Sequence, residues 1–147
     1  MSTRALIGVV QDDQTIKSVY HHFDGYPEWL GTVLQDKYNT EDKANDLISG
    51  GDMSSCWTKS RWLDNGGQMK VPAYGIQYYT QRGEDLNITT SDNFEEFTEL
   101  DCGNEFSYLF KDGKWHGYSI ERTRDQKTWV ITDVAAIPVS IPQGAAV

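Results

Sequence analysis

Apolar and polar positions change their period several times along the chain, and the changes mark its elements. Ala5-Leu6-Ile7-Gly8-Val9-Val10 is an unbroken apolar run rich in β-branched residues, which predicts a buried strand. Gln11-Asp12-Asp13-Gln14-Thr15 is a polar turn, and Ile16 to Phe23 returns as a second strand. Strand alternation puts Ile16, Ser18, Tyr20, His22 and Asp24 on one face, and Lys17, Val19, His21 and Phe23 on the other. The neighbouring histidines His21 and His22 therefore point opposite ways.

The period then becomes helical. Asp24-Gly25-Tyr26 turns the chain and Pro27 suits a first helical position, with Glu28 placed to favour the helix dipole. Leu30, Val33, Leu34 and Tyr38 make one apolar face, while Gly31 permits a close approach. Thr40 is the expected N-cap of a second helix whose buried stripe is Ala44, Leu47 and Ile48, and Gly50-Gly51 ends it. From Asp52 to Pro72 the pattern is mixed: Ser54 to Trp57 and Arg61 to Leu63 read as short strands or an irregular excursion, with a turn at 64–67. Ala73 to Tyr79 is a strand, followed by a bend at Arg82-Gly83. Ser91 or Asp92 caps a short helix anchored by Phe94, Phe97 and Leu100, with capping-box spacing from Asp92 to Glu95. Two aromatic runs, 105–110 and 115–120, flank Asp112-Gly113 and predict a tight hairpin. Thr128 to Thr132 returns as a strand, and Pro138 and Pro142 make 134–147 an extended C-terminal tail or edge segment.

This order predicts an α+β fold in one domain, residues 1–147: an antiparallel β-sheet with two or three short helices packed on one face. Composition agrees, with 38% hydrophobic and 24% charged residues. No leader-like or membrane-spanning apolar stretch stands out, so the expected location is the cytoplasm, where Cys56 and Cys102 stay free thiols. The net charge of -9 disfavours direct contact with nucleic acid or an anionic membrane and suits a basic partner.

Candidate chemistry gathers in two places. Tyr20, His22, Asp24, Tyr26, Trp29, Tyr78 and Arg82 combine flat aromatic faces with polar tips and a fork-shaped cation, a set that can stack a base and hold a phosphate. They are the expected ligand-binding residues for a nucleotide-like molecule. Between Arg82 and Lys111 there is no Lys or Arg, and Glu84, Asp85, Asp92, Glu95, Glu96 and Glu99 form an acidic surface suited to a protein with a basic groove. An enzyme is the alternative: His22, Asp24 and His116 are the residue types of a two-histidine, one-carboxylate metal site, and His22 with Asp24 or Glu28 could move protons. No nucleophile elbow, phosphate loop or zinc signature accompanies them, so neither a cofactor nor a resident metal is expected.

Several of these motifs also carry a resemblance. Ser2-Thr3-Arg4 before a strand, then Tyr20-His21-His22-Phe23-Asp24-Gly25-Tyr26, resembles the opening of small tailed-phage and prophage proteins with an S-T-R start and a C-H-W-D-G-Y-like run. Gly50-Gly51-Asp52, Tyr78-Tyr79-x-x-Arg82-Gly83-Glu84 and Phe110-Lys111-Asp112-Gly113-Lys114-Trp115 extend the likeness over most of residues 1 to 120. His21 stands where that pattern has Cys and Phe23 where it has Trp, and the region from Trp57 to Val71 departs from it. The resemblance implies a phage accessory protein that acts inside the infected host by binding, neutralising a component of antiviral defence; it brings no reaction with it.

Overall fold

A computed structural model describes residues 3–57 and 75–142 of the chain. The Arg61–Leu63 and 64–67 expectations lie outside the described residues. Eight strands among the described residues form one sheet. They are β1 (Ala5–Val10), β2 (Ile16–His21), β3 (Met53–Trp57), β4 (Gly75–Tyr78), β5 (Thr89–Ser91), β6 (Phe106–Lys111), β7 (Lys114–Arg124) and β8 (Ile131–Val139). Their spatial order is β4-β3-β2-β1-β6-β7-β8, with β5 paired to β2 off this path.

The α+β class holds, but the sheet is mixed rather than antiparallel. β1 pairs parallel with β6, from Ala5 opposite Phe106 to Val9 opposite Phe110, and β2 pairs parallel with β3 through His21 and Met53. The reason lies in the connections. A tight turn reverses the chain between β1 and β2, whereas the helical segment after β2 carries it back so that β3 runs the same way.

That segment begins as a π-helical turn, Pro27–Gly31, with Pro27 at its first position, and continues as α1 (Thr32–Lys37). Gly31 does permit close approach, since a Cβ there would lie 2.9 Å from Ile141 Cγ2. Helix α2 (Glu41–Ser49) is capped by Thr40, whose hydroxyl accepts from the Lys43 N–H at 3.2 Å. Leu30, Val33, Leu34, Ala44, Leu47 and Ile48 bury with Ala5, Ile7, Val9 and Val19 in the main core. Helix α3 (Phe94–Glu99) belongs elsewhere: its Phe97 packs with Leu6, Ile16 and Leu109, the side chains that alternate onto the other face of β1, β2 and β6. A Cβ at Gly8 would meet Phe97 at 2.8 Å. The helices therefore do not share one face.

Two further expectations are corrected. The cap of α3 is Asn93, not Ser91 or Asp92: its side chain accepts from the Glu96 N–H at 2.9 Å, and Glu96 Oε1 accepts from the Asp92 N–H at 3.1 Å. The register moves by one residue, which leaves Phe94 exposed against Tyr118 instead of anchoring the helix. And residues 134–139 take the edge-segment alternative rather than that of a tail. They are the greater part of β8, paired with β7 from Gly117–Val139 to Arg124–Ile131. An edge strand needs hydrogen bonds on one side only, so it can hold Pro138. No described helix is long and apolar enough to cross a membrane.

Candidate functional site

The stretch from Tyr20 to Gly31 is built mainly as a joint. His21 faces the main core with 0% exposure, and neither ring nitrogen has a hydrogen-bond partner among the described residues. Burial lowers its pKa to about 3, so the ring is neutral. After β2 ends, the His22 and Phe23 N–H groups donate to Met53 O and Ser54 O at 3.1 and 2.9 Å. Asp24 then takes a left-handed φ of 57°, which Asp tolerates better than most residues. Gly25 is required for space: a Cβ there would lie 2.8 Å from Ala5 Cβ and from Thr3 O, and the Tyr108 hydroxyl donates to Gly25 O at 2.7 Å.

Of the expected ligand residues, the structure brings Tyr20 and His22 together. The phenol oxygen lies 2.5 Å from His22 Nδ1. Burial raises the Tyr20 pKa; burial and then the Arg4 charge lower that of His22, so both groups are neutral near pH 7. Asp24 follows the end of the strand, so alternation no longer fixes its face; burial raises its pKa. The Tyr26 carbonyl accepts from the N–H groups of Trp29 and Leu30. Trp29 and Tyr78 pack against the main core, and the Tyr78 hydroxyl donates to Leu47 O at the end of α2. The Arg82 side chain lies outside the described residues. His116 Nε2 lies 3.2 Å from Lys111 O in its own hairpin, and among the described residues no three His, Cys, Asp or Glu side chains gather as a metal site.

Tyr20 opens onto a different groove, of about 380 Å³, lined also by Leu6, Ser18, Asp52, Asn87, Asp101 and Cys102. The Asp52 carboxylate accepts from the Tyr20 N–H at 2.8 Å and from Asn87 Nδ2 at 3.1 Å. The buried Ser18 hydroxyl has no hydrogen-bond partner among the described residues. Asp101 is held by Arg122 and Arg124 at 3.6 and 3.3 Å, and its pKa is lowered by the Gly103 N–H and these two cations. Ser18 and Asp52 carried no signal in the sequence, because one reads as a plain strand residue and the other as the residue after a helix stop.

The acidic residues Glu84, Asp85, Asp92, Glu95, Glu96 and Glu99 are all exposed, but they are not one helix face. Glu84 and Asp85 lie in the connection to β5, which approaches Gly51 at Leu86 and Asn87. Glu96 is spent on capping. Glu95 and Glu99 line a groove of about 460 Å³ between α3 and β8, where Asp133 joins them with Ile131 and Val134. None of these three carboxylates has an ion-pair partner among the described residues. At the head of β8 the turn presents Trp129 at 69% and Val130 at 60% exposure. Trp129 N–H donates to Asp125 O at 2.7 Å, Asp125 N–H to Val130 O at 2.9 Å, and the Asp125 carboxylate accepts from Lys127 N–H and the Thr128 hydroxyl at 2.8 and 3.0 Å. No family model, curated protein or solved structure matches the chain.

Proposed function

We propose that this protein works by binding, and that it occupies a basic surface of a partner protein with the face formed by α3 and β8. The observation that carries the reading is the meeting of Glu95, Glu99 and Asp133 along one groove with no cation in its lining among the described residues. Carboxylates left unpaired on a protein of net charge -9 attract a basic surface at long range and speed its association. The resemblance to tailed-phage and prophage proteins makes that partner a host component, from antiviral defence, which the bound protein neutralises. Affinity capture from bacterial lysate tests this. A complex that weakens as salt rises and is lost in Glu95→Lys/Glu99→Lys is the expected result; capture unchanged by either treatment rejects the acidic face. Glu96 is left intact because its capping role would confound the comparison.

A nucleotide-like signal is the second reading, supported by the groove under Tyr20. There the Ser18 hydroxyl, unpartnered among the described residues, and the Asp52 carboxylate supply polar contacts, and the Arg4 charge lies near enough to act on both rings: it adds to the lowering of the His22 pKa by burial and partly offsets the rise that burial gives Tyr20. A panel of cyclic and ADP-ribose-type nucleotides should raise the melting temperature, with the rise lost in Asp52→Asn. A flat response across the panel removes this reading.

A further inference from the structure

We infer that the outer edge of β8, with Trp129 and Val130 at its head, takes an extended strand of the partner protein, and that this strand carries basic side chains. The inference rests on the acidic-face reading and names how the partner lies on that face.

Three independent features meet along this edge. First, β8 ends the sheet, so along nine residues one row of backbone N–H and C=O groups has no strand partner among the described residues. Soluble proteins blunt such an edge with charge or bulges; from Val134 to Val139 this strand carries no charged residue, and Pro138 is the one blunting residue there. Second, the head of the strand offers two large apolar side chains on a hydrogen-bonded turn. Trp129 holds a φ of 61°, a conformation a bulky residue keeps only when its surroundings fix it. An aromatic already held in place loses little further freedom when a partner covers it, which is the property of an interface anchor. Third, Glu95, Glu99 and Asp133 run beside the same strand and set the sign of what it accepts. A second copy of the chain would bring these carboxylates against each other, so charge selects a basic partner over self-pairing.

An added strand gains affinity from main-chain hydrogen bonds, and its alternation directs every second side chain to one face. Lysines or arginines at the positions facing α3 meet Glu95 and Glu99, while the alternate residues cover the other face, which Asp133 and Ile137 share by the register of β8.

The probe is a fluorescently labelled short peptide of alternating lysine and valine, with a twin N-methylated at alternate amides. The twin keeps side chains and charge but loses backbone donors. Anisotropy should show the plain peptide binding and the twin weaker by about tenfold or more. Trp129→Ala should weaken the plain peptide by about tenfold, and amide exchange should slow across 131–137 when it binds. Equal binding of both peptides overturns strand addition; if that binding is still lost in Glu95→Lys/Glu99→Lys, the acidic-face reading stands without it. Binding by neither peptide also overturns it, and leaves the acidic face to be judged by capture from lysate. A doubled mass in light scattering that reverts in Ile137→Lys overturns it in favour of a second copy.

Discussion

The joint at Tyr20–Gly31 and the β7–β8 arm use their aromatic and charged residues in opposite ways. The joint holds two histidines and four aromatic side chains in twelve residues, yet only His21 is fully buried; Tyr20, His22, Tyr26 and Trp29 are half-buried, and Phe23 alone is exposed. His21 is sealed in the core, Gly25 is wedged against Thr3 and Ala5, and Trp29 packs on the helices. The arm reads as a turn and a proline-bearing tail, yet it carries the two most exposed large hydrophobic side chains among the described residues, on fixed backbone, beside unpaired carboxylates. A dense run of reactive residue types is thus a poor guide to a site when the backbone around it must close a core. An exposed aromatic on a rigid turn is the better one, because nothing in the fold explains its exposure.

Four substitutions in the joint, α3 and the arm separate these two uses, in falling order of effect on stability. Gly25→Ala puts a methyl group 2.8 Å from two neighbours, one of them backbone. It should destabilise the protein by about 2–3 kcal/mol in denaturant unfolding; a loss near zero would mean the joint is not wedged as described.

His21→Leu removes a buried imidazole with no partner. The folded-state pKa of about 3 lies below the ordinary 6.5, so the unfolded chain takes up a proton first as pH falls. The wild type therefore loses stability progressively from pH 6.5 downward, until the folded ring itself titrates. Relative to wild type, the Leu variant should gain about 2 kcal/mol between pH 7.5 and pH 5. Parallel unfolding curves at the two pH values would contradict a buried, neutral His21. The Cys of the phage-like pattern fits the same position as a small buried apolar group, and His21→Cys should show the same flattening.

Asn93→Ala removes the α3 cap and should cost about 1 kcal/mol. It separates the observed cap from Asp92→Ala, whose side chain caps nothing and whose loss should be nearly silent. Trp129→Ala should change stability by less than about 0.5 kcal/mol, since a side chain 69% exposed has little burial to lose. A larger loss would make Trp129 part of the fold rather than part of a surface.

The local elements were legible in the sequence because they are written locally. Thr40 caps α2 as read, Gly51 takes φ 83° after it, and Asp112-Gly113 makes the expected hairpin with both residues at positive φ. What failed depends on residues distant in sequence. The β1–β6 pairing joins segments about a hundred positions apart, with no turn chemistry between them to announce it. Phe97 anchors α3 as read, but that Phe94 does not depends on where α3 meets the sheet beside Gly8, which only the assembled sheet reveals. Pro138 allowed either a tail or an edge segment, and only the assembled sheet places β8 at an edge. For the site, the acidic residues were legible by composition, but Asp133 joins Glu95 and Glu99 only through the packing of α3 on β8.

The most direct test of the account sets the two regions against each other in one capture experiment from bacterial lysate. Glu95→Lys/Glu99→Lys alters the arm's groove, and His22→Ala removes the Tyr20–His22 contact in the joint. The account predicts that the partner is lost with the first variant and retained with the second; retention with the first and loss with the second would contradict it.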